Sequence, residues 1–549
     1  MSEDRSVSRG LRQRHIAMIA LGGAIGAGLF VGSGVGIAAA GPGIVVSYVV
    51  AGVLTVLVMR MLGEMSAARP GSGSFAAHAT RAWGPWAGLL AGWMYWALLV
   101  VSVAAEAIGA SRIVAGWLPQ VPAWVWVAAF MALFTATNLA GVRHFGELEF
   151  WFAGVKAASI CAFILLGAAA VLTGRTPAAE NLTTHGGLLP HGWHGVAVGT
   201  IAAVFAYGGL ETVTIAAAEC EDPVAAVRRA VRTVLWRVAL FYVGSMAVIV
   251  AVVPWDDPAV AGGPYAAAIG RIGVPGAAQL MNAVVLVALL SAMNANIYGS
   301  SRMLHALAAR GDAPRLLTRR GRPTDRGHGG PNGVDGANGA NGANGVDGAS
   351  AAPTGTGRAV LASAAFGFAS VVLSLVWPRT VFPFLLNSIG TAILVVWILI
   401  AASHLRLHGR RQRAHGPERQ PGPQRERGPQ QAPPMWGFPY LGYLALAAMA
   451  GVLVFMLADP GSRSQVLCTG AWTAALLLVA GLRRRRRGPD ADPAAAPTAP
   501  TAATPTAPTA ATASAAAAAA VTAAPDAGFA AAAVTAAART APGTGRPRS

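Results

Sequence analysis

The chain has 549 residues, 54% of them hydrophobic and 12% charged, with a mean hydropathy of +0.51. These values exclude an ordinary soluble domain. The formal net charge of +18, from 41 Lys+Arg against 23 Asp+Glu, would suit nucleic acid, but the arginines are placed as in a membrane protein, and no nucleic-acid partner is expected.

In chain order, residues 1–15 form a basic N-terminal segment. Runs of about 20 apolar residues, each long enough to cross a bilayer as a helix, then recur at about 16–40, 43–65, 84–111, 122–141, 148–172, 195–219, 233–254, 277–305, 359–377, 381–404, 435–457 and 465–482. The first is too long and too glycine-broken for a cleaved leader, and a second span follows at once. With residues 1–15 inside, the inside segments hold Arg5–Arg14, Arg69 and Arg81, Arg143, Arg228–Arg237, Arg302–Arg326, Arg406–Arg427 and Arg483–Arg487. The outside loops hold isolated arginines: Arg175, Arg271, Arg379 and Arg463. This alternation follows the positive-inside rule and puts both termini in the cytoplasm of a multi-pass cell-membrane protein.

The expected organisation is all-α: twelve transmembrane helices, with five-helix repeats at 16–172 and 173–404 and two further helices at 435–482. A loop at about 322–357, with Asn-Gly and Asp-Gly turns in NGVDGANGANGANGVDGA, is expected to be disordered and cytoplasmic. So is the Ala/Pro/Thr-rich tail at 483–549; residues 405–434, rich in Arg, Gln and Pro, form another inside loop. Cys161, Cys220 and Cys468 are odd in number and lack disulfide or metal-ligand spacing, so reduced thiols, no metal and no cofactor are expected.

Two spans are interrupted near their middles. LGGAIGAGLFVGSGVG (Leu21–Gly36) holds seven glycines, each costing a helix about 1 kcal/mol relative to alanine. FAYGGLETVT (Phe205–Thr214) holds a Gly-Gly pair and Glu211 in apolar sequence. These are the first and sixth spans, the opening members of the two halves. Paired interruptions of this kind point to the binding site of an inverted-repeat transporter with a leucine-transporter-like 5+5 fold. Unwinding at Ile25, Gly26, Ala27 and Gly28 frees backbone N–H groups at a half-helix N-terminus for a carboxylate. Unwinding at Gly208 and Gly209, beside Phe205 and Tyr207, exposes carbonyls for an ammonium. The site suits a small zwitterion; close helix packing is the alternative role for the same glycines.

Lys156 is the only lysine of the chain, about 6 residues into the fifth span, roughly 9 Å at helical rise and deep for snorkelling. Arginine cannot release its proton in a protein and lysine can, so Lys156 suits a site that titrates or fits a compact ammonium. Glu211 is the second proton-coupling candidate, with a structural tie between the broken helices as its other role. Glu106, deep in the third span, needs an inward partner. Glu64, Glu147, Glu149, Glu219 and Glu221 sit near cytoplasmic ends, where solvated or loop-tying roles fit.

LRQRHIAMIALGGAIGAGLFVGSG (Leu11–Gly34), MRMLGEM (Met59–Met65), GELEFWFAGVK (Gly146–Lys156) and SRMLHALAARGDAP (Ser301–Pro314) resemble the bacterial amino acid permeases of the amino acid–polyamine–organocation superfamily, in the expected order from about residue 11 to 482. AIGAGLFVGS, ETVTIAAAE (Glu211–Glu219) and GELEFWFAGVK are most similar to the 4-aminobutyrate (GABA) permease branch. The Asn-Gly loop and the tail depart from the family pattern. The resemblance implies secondary active, proton-coupled import of a small amino acid, most of all GABA, by alternating access. The alternatives are D-alanine, D-serine, glycine, proline, asparagine or an aromatic amino acid as substrate, or a transporter-like sensor. It further implies that the Ile25–Phe30 motif binds the carboxylate opposite Phe205–Glu211. Lys156 would stand where sodium-driven relatives hold Na⁺, bridging the first and eighth spans. Asn294 resembles the family's eighth-span asparagine, either as a helix–helix hydrogen bond or as a substrate contact. Partners are thus an amino acid, protons and the bilayer; the sequence leaves the oligomeric state open. An ATP-driven pump is excluded because GxxxxGK[ST] is absent. No pore-loop signature of a channel is evident. An enzyme is not expected, because the histidines sit at span ends and loops instead of clustering with Cys or acidic residues.

Overall fold

A computed structural model describes residues 25–68, 75–140, 145–211, 229, 232–317, 356–377, 380–414, 435 and 437–487. The chain divides into two compact units, Met1–Arg486 and Arg487–Ser549. All of the second unit beyond Arg487 lies outside the described residues, as do residues 1–15, the Asn-Gly run and most of the expected 405–434 loop.

Every described element is helical. A π-helical turn at Gly28–Gly32 leads into α1 (Ser33–Ala40). A 3-10 turn at Gly41–Gly43, with Gly41 at φ +60°, then turns the chain into α2 (Ile44–Ala67). The apolar stretch Gly28–Ala67 is 40 residues long, about 60 Å at helical rise and twice the hydrocarbon thickness of a bilayer, so this corner divides it into two passes. The Gly41–Pro42–Gly43 sequence makes the corner: Gly41 accepts the positive φ, and Pro42 lacks the N–H that would continue α1.

Next come α3 (Phe75–Trp83), α4 (Pro85–Trp117), α5 (Ala123–Ala140), α6 (Phe145–Leu172), α7 (Ala178–Thr183) and α8 (Gly192–Ala206). A second π turn at Val238–Gly244 precedes α9 (Ser245–Val252), followed by the short α10 (Pro258–Gly262) and α11 (Pro264–Ile272). The long α12 (Ala277–Ala309), α13 (Thr356–Val376), α14 (Val381–Ala414), α15 (Tyr440–Ala458) and α16 (Arg463–Arg487) complete the described bundle.

Among the described residues, nine helical stretches are long and apolar enough to cross a membrane, and Ala123–Leu139 and Gly192–Ala206 are shorter apolar helices. Their burial sorts the bundle. In α4, 78% of the most apolar window is buried, against 22% in α15 and 11% in α16. The centre is therefore α4, packed along α12 and α14, while the last two helices turn side chains such as Val454 and Leu478 outward. Apolar surface of this extent needs a lipid solvent. The molecule is a multi-pass membrane protein.

Three expected boundaries are corrected. α13 begins at Thr356, inside the expected 322–357 loop. α14 runs to Ala414, ten residues into the expected 405–434 loop, and α16 runs to Arg487, into the expected tail. Arg, Gln and Leu are good helix formers, so α14 and α16 outlast their apolar segments. The short helices α3, α7, α10 and α11 have no counterpart among the expected spans. Asp257 caps α10 by accepting from Ala259 N–H at 2.9 Å, with Pro258 at the first helical position.

Candidate functional site

The described part of the first interrupted span starts at the break. Ile25 and Gly26 are bends, and helix resumes as the π turn at Gly28; π turns inside helices recur at functional sites. In the sixth span, α8 stops at Ala206 and Tyr207–Leu210 form turns, with Gly209 at φ +96°, a conformation that favours glycine. The structure brings these two breaks together. A Cβ placed on Gly28 would lie 2.5 Å from Ala206 Cα and 3.1 Å from Phe205 Cε1. Gly28 is therefore a point of direct backbone approach, and close packing is part of its role.

Gly26 faces the other wall. A Cβ there would lie 3.1 Å from Glu106 Oε1 on α4 and 3.2 Å from Ala292 Cβ on α12. One residue before Ala292, Ser291 Oγ accepts from Lys156 Nζ at 3.0 Å, and Lys156 is fully buried. Lys156 of α6 is thus hydrogen-bonded to α12, one residue from the side chain that Gly26 faces. One helical turn further along α12, Asn296 Nδ2 donates to both Glu106 oxygens, at 3.1 and 3.0 Å. Asn296 is the inward partner that the sequence left unassigned. Asn294 instead accepts from Asn138 Nδ2 of α5 at 2.8 Å, a helix–helix hydrogen bond.

Glu211 is fully buried, and both of its oxygens accept from Gly209 N–H, at 3.1 and 3.2 Å. The carboxylate thereby closes over the broken backbone of its own span. The Tyr95 hydroxyl of α4 interacts with it. The Trp397 indole of α14 also faces it, with its buried N–H outside hydrogen-bonding geometry. The Tyr207 hydroxyl donates to the Tyr48 carbonyl of α2 at 2.8 Å, and its ring packs on Tyr242 with centroids 4.6 Å apart. Tyr207 therefore joins the break to α2 and to the second π turn. On the other side, Phe30 packs edge-on to Tyr265 of α11 at 5.0 Å, and Phe163 of α6 lies 4.7 Å from the same ring. Ile25, Ala27 and Phe205 are buried, and Phe205 lies against Gly28 and Gly32.

Ser291, Asn296, Tyr95, Trp397 and Tyr265 were not singled out from sequence. Each is an ordinary core-compatible residue until its helix face is known. For Ser291 and Asn296 the available signal was the polar run SAMNAN in the middle of α12.

Among the described residues, the two broken helices meet beside one ammonium and two carboxylates inside an all-helical membrane bundle. The amino acid permease family model matches residues 15–328 and 357–490, and the chain belongs to that family, near its GABA permease branch. It is similar to the gamma-aminobutyric acid permease of Bacillus subtilis, with 38% identity over 496 residues covering 89% of this chain and 96% of the relative. The aromatic amino acid transport protein AroP of Corynebacterium glutamicum is 40% identical over 471 residues, 84% of this chain and 92% of the relative. A probable GABA permease of Pseudomonas aeruginosa is 39% identical over 488 residues, covering 88% and 94%.

Proposed function

We propose that this amino acid permease imports GABA, or a similarly small zwitterion, by proton symport with alternating access. It would do so as a 5+5 inverted repeat in the cell membrane with both termini cytoplasmic. The observation that carries the reading is the meeting of the two breaks at Gly28 and Ala206. It sets the start of one half-helix against the unwound turn of the other. Half-helix N-termini attract a carboxylate, and unwound carbonyls and carboxylates attract an ammonium. The buried Lys156–Ser291 pair supports coupling, since a lysine can lose its proton within the cycle and an arginine cannot. The similarity to proteins named GABA permeases supports the substrate.

The similarity to AroP at 40% identity favours one second reading, import of aromatic amino acids. Proteoliposomes with an imposed pH gradient decide between them. Labelled GABA should accumulate with the gradient, collapse with a protonophore, and meet weak competition from glutamate, because neither break segment, Leu21–Gly36 or Phe205–Thr214, carries an arginine for a second carboxylate. Accumulation of phenylalanine or tryptophan without GABA uptake would establish the second reading. Uptake indifferent to the gradient would remove proton symport.

A further inference from the structure

At the ends of α2 and α14, remote in sequence from the broken helices, lies a cluster that the transport reading does not use. His404 and His408 stand four residues apart on α14 and so share one helix face. Glu64, near the end of α2, sits between them. His404 Nε2 is 3.0 Å from Glu64 Oε2, and His408 Nδ1 is 2.9 Å from Glu64 Oε1. Met435 N–H donates to Glu64 Oε2 at 3.0 Å and fixes the carboxylate from behind. His404 and Glu64 are buried and His408 is nearly so. Phe438 covers both rings, 4.0 Å from His408 and 5.7 Å from His404.

We infer that Glu64, His404 and His408 form a Zn²⁺ site joining α2 to α14. The three residues each offer a ligand atom, all within 4.8 Å of one another. Bonds of about 2.0–2.1 Å to a tetrahedral Zn²⁺ place neighbouring ligand atoms about 3.3 Å apart. The observed 2.9 and 3.0 Å, to different carboxylate oxygens, need to widen by a few tenths of an ångström, and the set, which spreads up to 4.8 Å, needs to draw in by up to about 1.5 Å on the ion. Two imidazoles and one carboxylate are a donor set for zinc and poor for Mg²⁺, which prefers oxygen. The Met435 N–H supplies the outer hydrogen bond that orients a ligating carboxylate. A small pocket borders the cluster, lined by Glu64, His404 and His408 with His78 and Arg81, and a tetrahedral Zn²⁺ with three protein ligands leaves its fourth position to water. A hydrogen-bonded tie between helices is the competing account, and it needs only one N–H from each ring.

The two accounts separate in a variant that keeps the donor and removes the ligand. Glutamine can donate to Glu64 but does not hold zinc. The full-length chain, with no affinity tag, is stripped with a chelator in detergent and titrated with Zn²⁺ by calorimetry. Wild type should bind one Zn²⁺ tightly, and its melting temperature should rise as the metal saturates. His408→Gln, at the most accessible ligand, should keep the metal-free melting temperature and weaken binding by more than about tenfold, the least that a lost ligand contact costs. His404→Gln should do the same, and Mg²⁺ should not compete. Wild type with no Zn²⁺ binding below about 100 μM, the range of a weak surface contact, would overturn the assignment. So would glutamine variants that bind as wild type does, or equal binding of Mg²⁺.

Discussion

Replacing Gly28 by alanine tests whether the two broken helices must touch. The new Cβ would start 2.5 Å from Ala206 Cα and 3.1 Å from Ala206 N, both backbone atoms that cannot rotate away. Carbon pairs settle at about 3.5–4.0 Å, so the π turn and the end of α8 must part by about 1 Å. Overpacking of this kind costs about 1–3 kcal/mol, and the rigid obstacle puts Gly28→Ala toward the upper end. Alanine's better helix propensity returns up to about 1 kcal/mol, leaving about 2 kcal/mol, or roughly 30-fold. At Gly26 the nearest atoms are Glu106 Oε1 at 3.1 Å and Ala292 Cβ at 3.2 Å, and a shift of a few tenths of an ångström relieves them. Gly26→Ala should therefore cost under about 1 kcal/mol, or a few-fold. Initial uptake rates in proteoliposomes, normalised to inserted protein, give the comparison. Gly28→Ala transport within twofold of wild type, or a larger loss in Gly26→Ala, would refute the reasoning.

The remaining predictions concern charge and backbone. Lys156→Arg should bind substrate but lose accumulation driven by a pH gradient, because arginine keeps its proton; gradient-driven accumulation equal to wild type would leave Lys156 as a tether and Glu211 as the proton carrier. Glu106→Ala leaves Asn296 and the face of Gly26 without their carboxylate and should lower apparent affinity more than Glu106→Gln, which keeps an oxygen for Asn296; equal KM values would contradict this. Gly209→Ala forces a side chain into a backbone at φ +96° and should cost about 1–2 kcal/mol, visible as a lower melting temperature of the detergent-solubilised protein. Asn138→Ala, which removes the hydrogen bond to Asn294, should cost about 0.6–1.7 kcal/mol of stability and leave substrate affinity unchanged in a direct binding assay.

What could be read from sequence was whatever is local. Hydrophobic length placed most of the long helices to within about six residues, because a bilayer imposes one length on each pass, while α14 outlasts its apolar span by ten. The breaks at Gly26 and at Gly208–Gly209 showed as glycine in apolar runs, and Lys156 stood out by residue type alone. Pairing was not legible. Asn294 and Asn296 are two positions apart, and about 200° of helical rotation separates them, so one meets Asn138 of α5 and the other Glu106 of α4. No one-dimensional pattern tells which. Glu64 was read as a solvated or loop-tying residue, and the loop tie to Met435 is present. Its histidine partners lie 340 and 344 residues away, although the spacing of His404 and His408 could have signalled a shared face. α11 was missed because nine residues are too few for a span, yet its Tyr265 lies against Phe30.

The single buried lysine also fixes the amine chemistry of the whole molecule. Apart from the α-amino group, Lys156 Nζ is the only primary amine in 549 residues, and it is fully enclosed. Acylating reagents that usually decorate a protein at many lysines have one side chain to find here, and only when water can reach it. Lys-C has one potential cleavage point, inside a helix, and amine-to-amine cross-linkers have no pair of side chains to join. Lys156 acylation, read apart from that of the α-amino group, is therefore a clock for the opening of the site. Its rate with and without substrate, read by mass spectrometry on unlabelled protein, measures how often the bundle admits solvent to its centre.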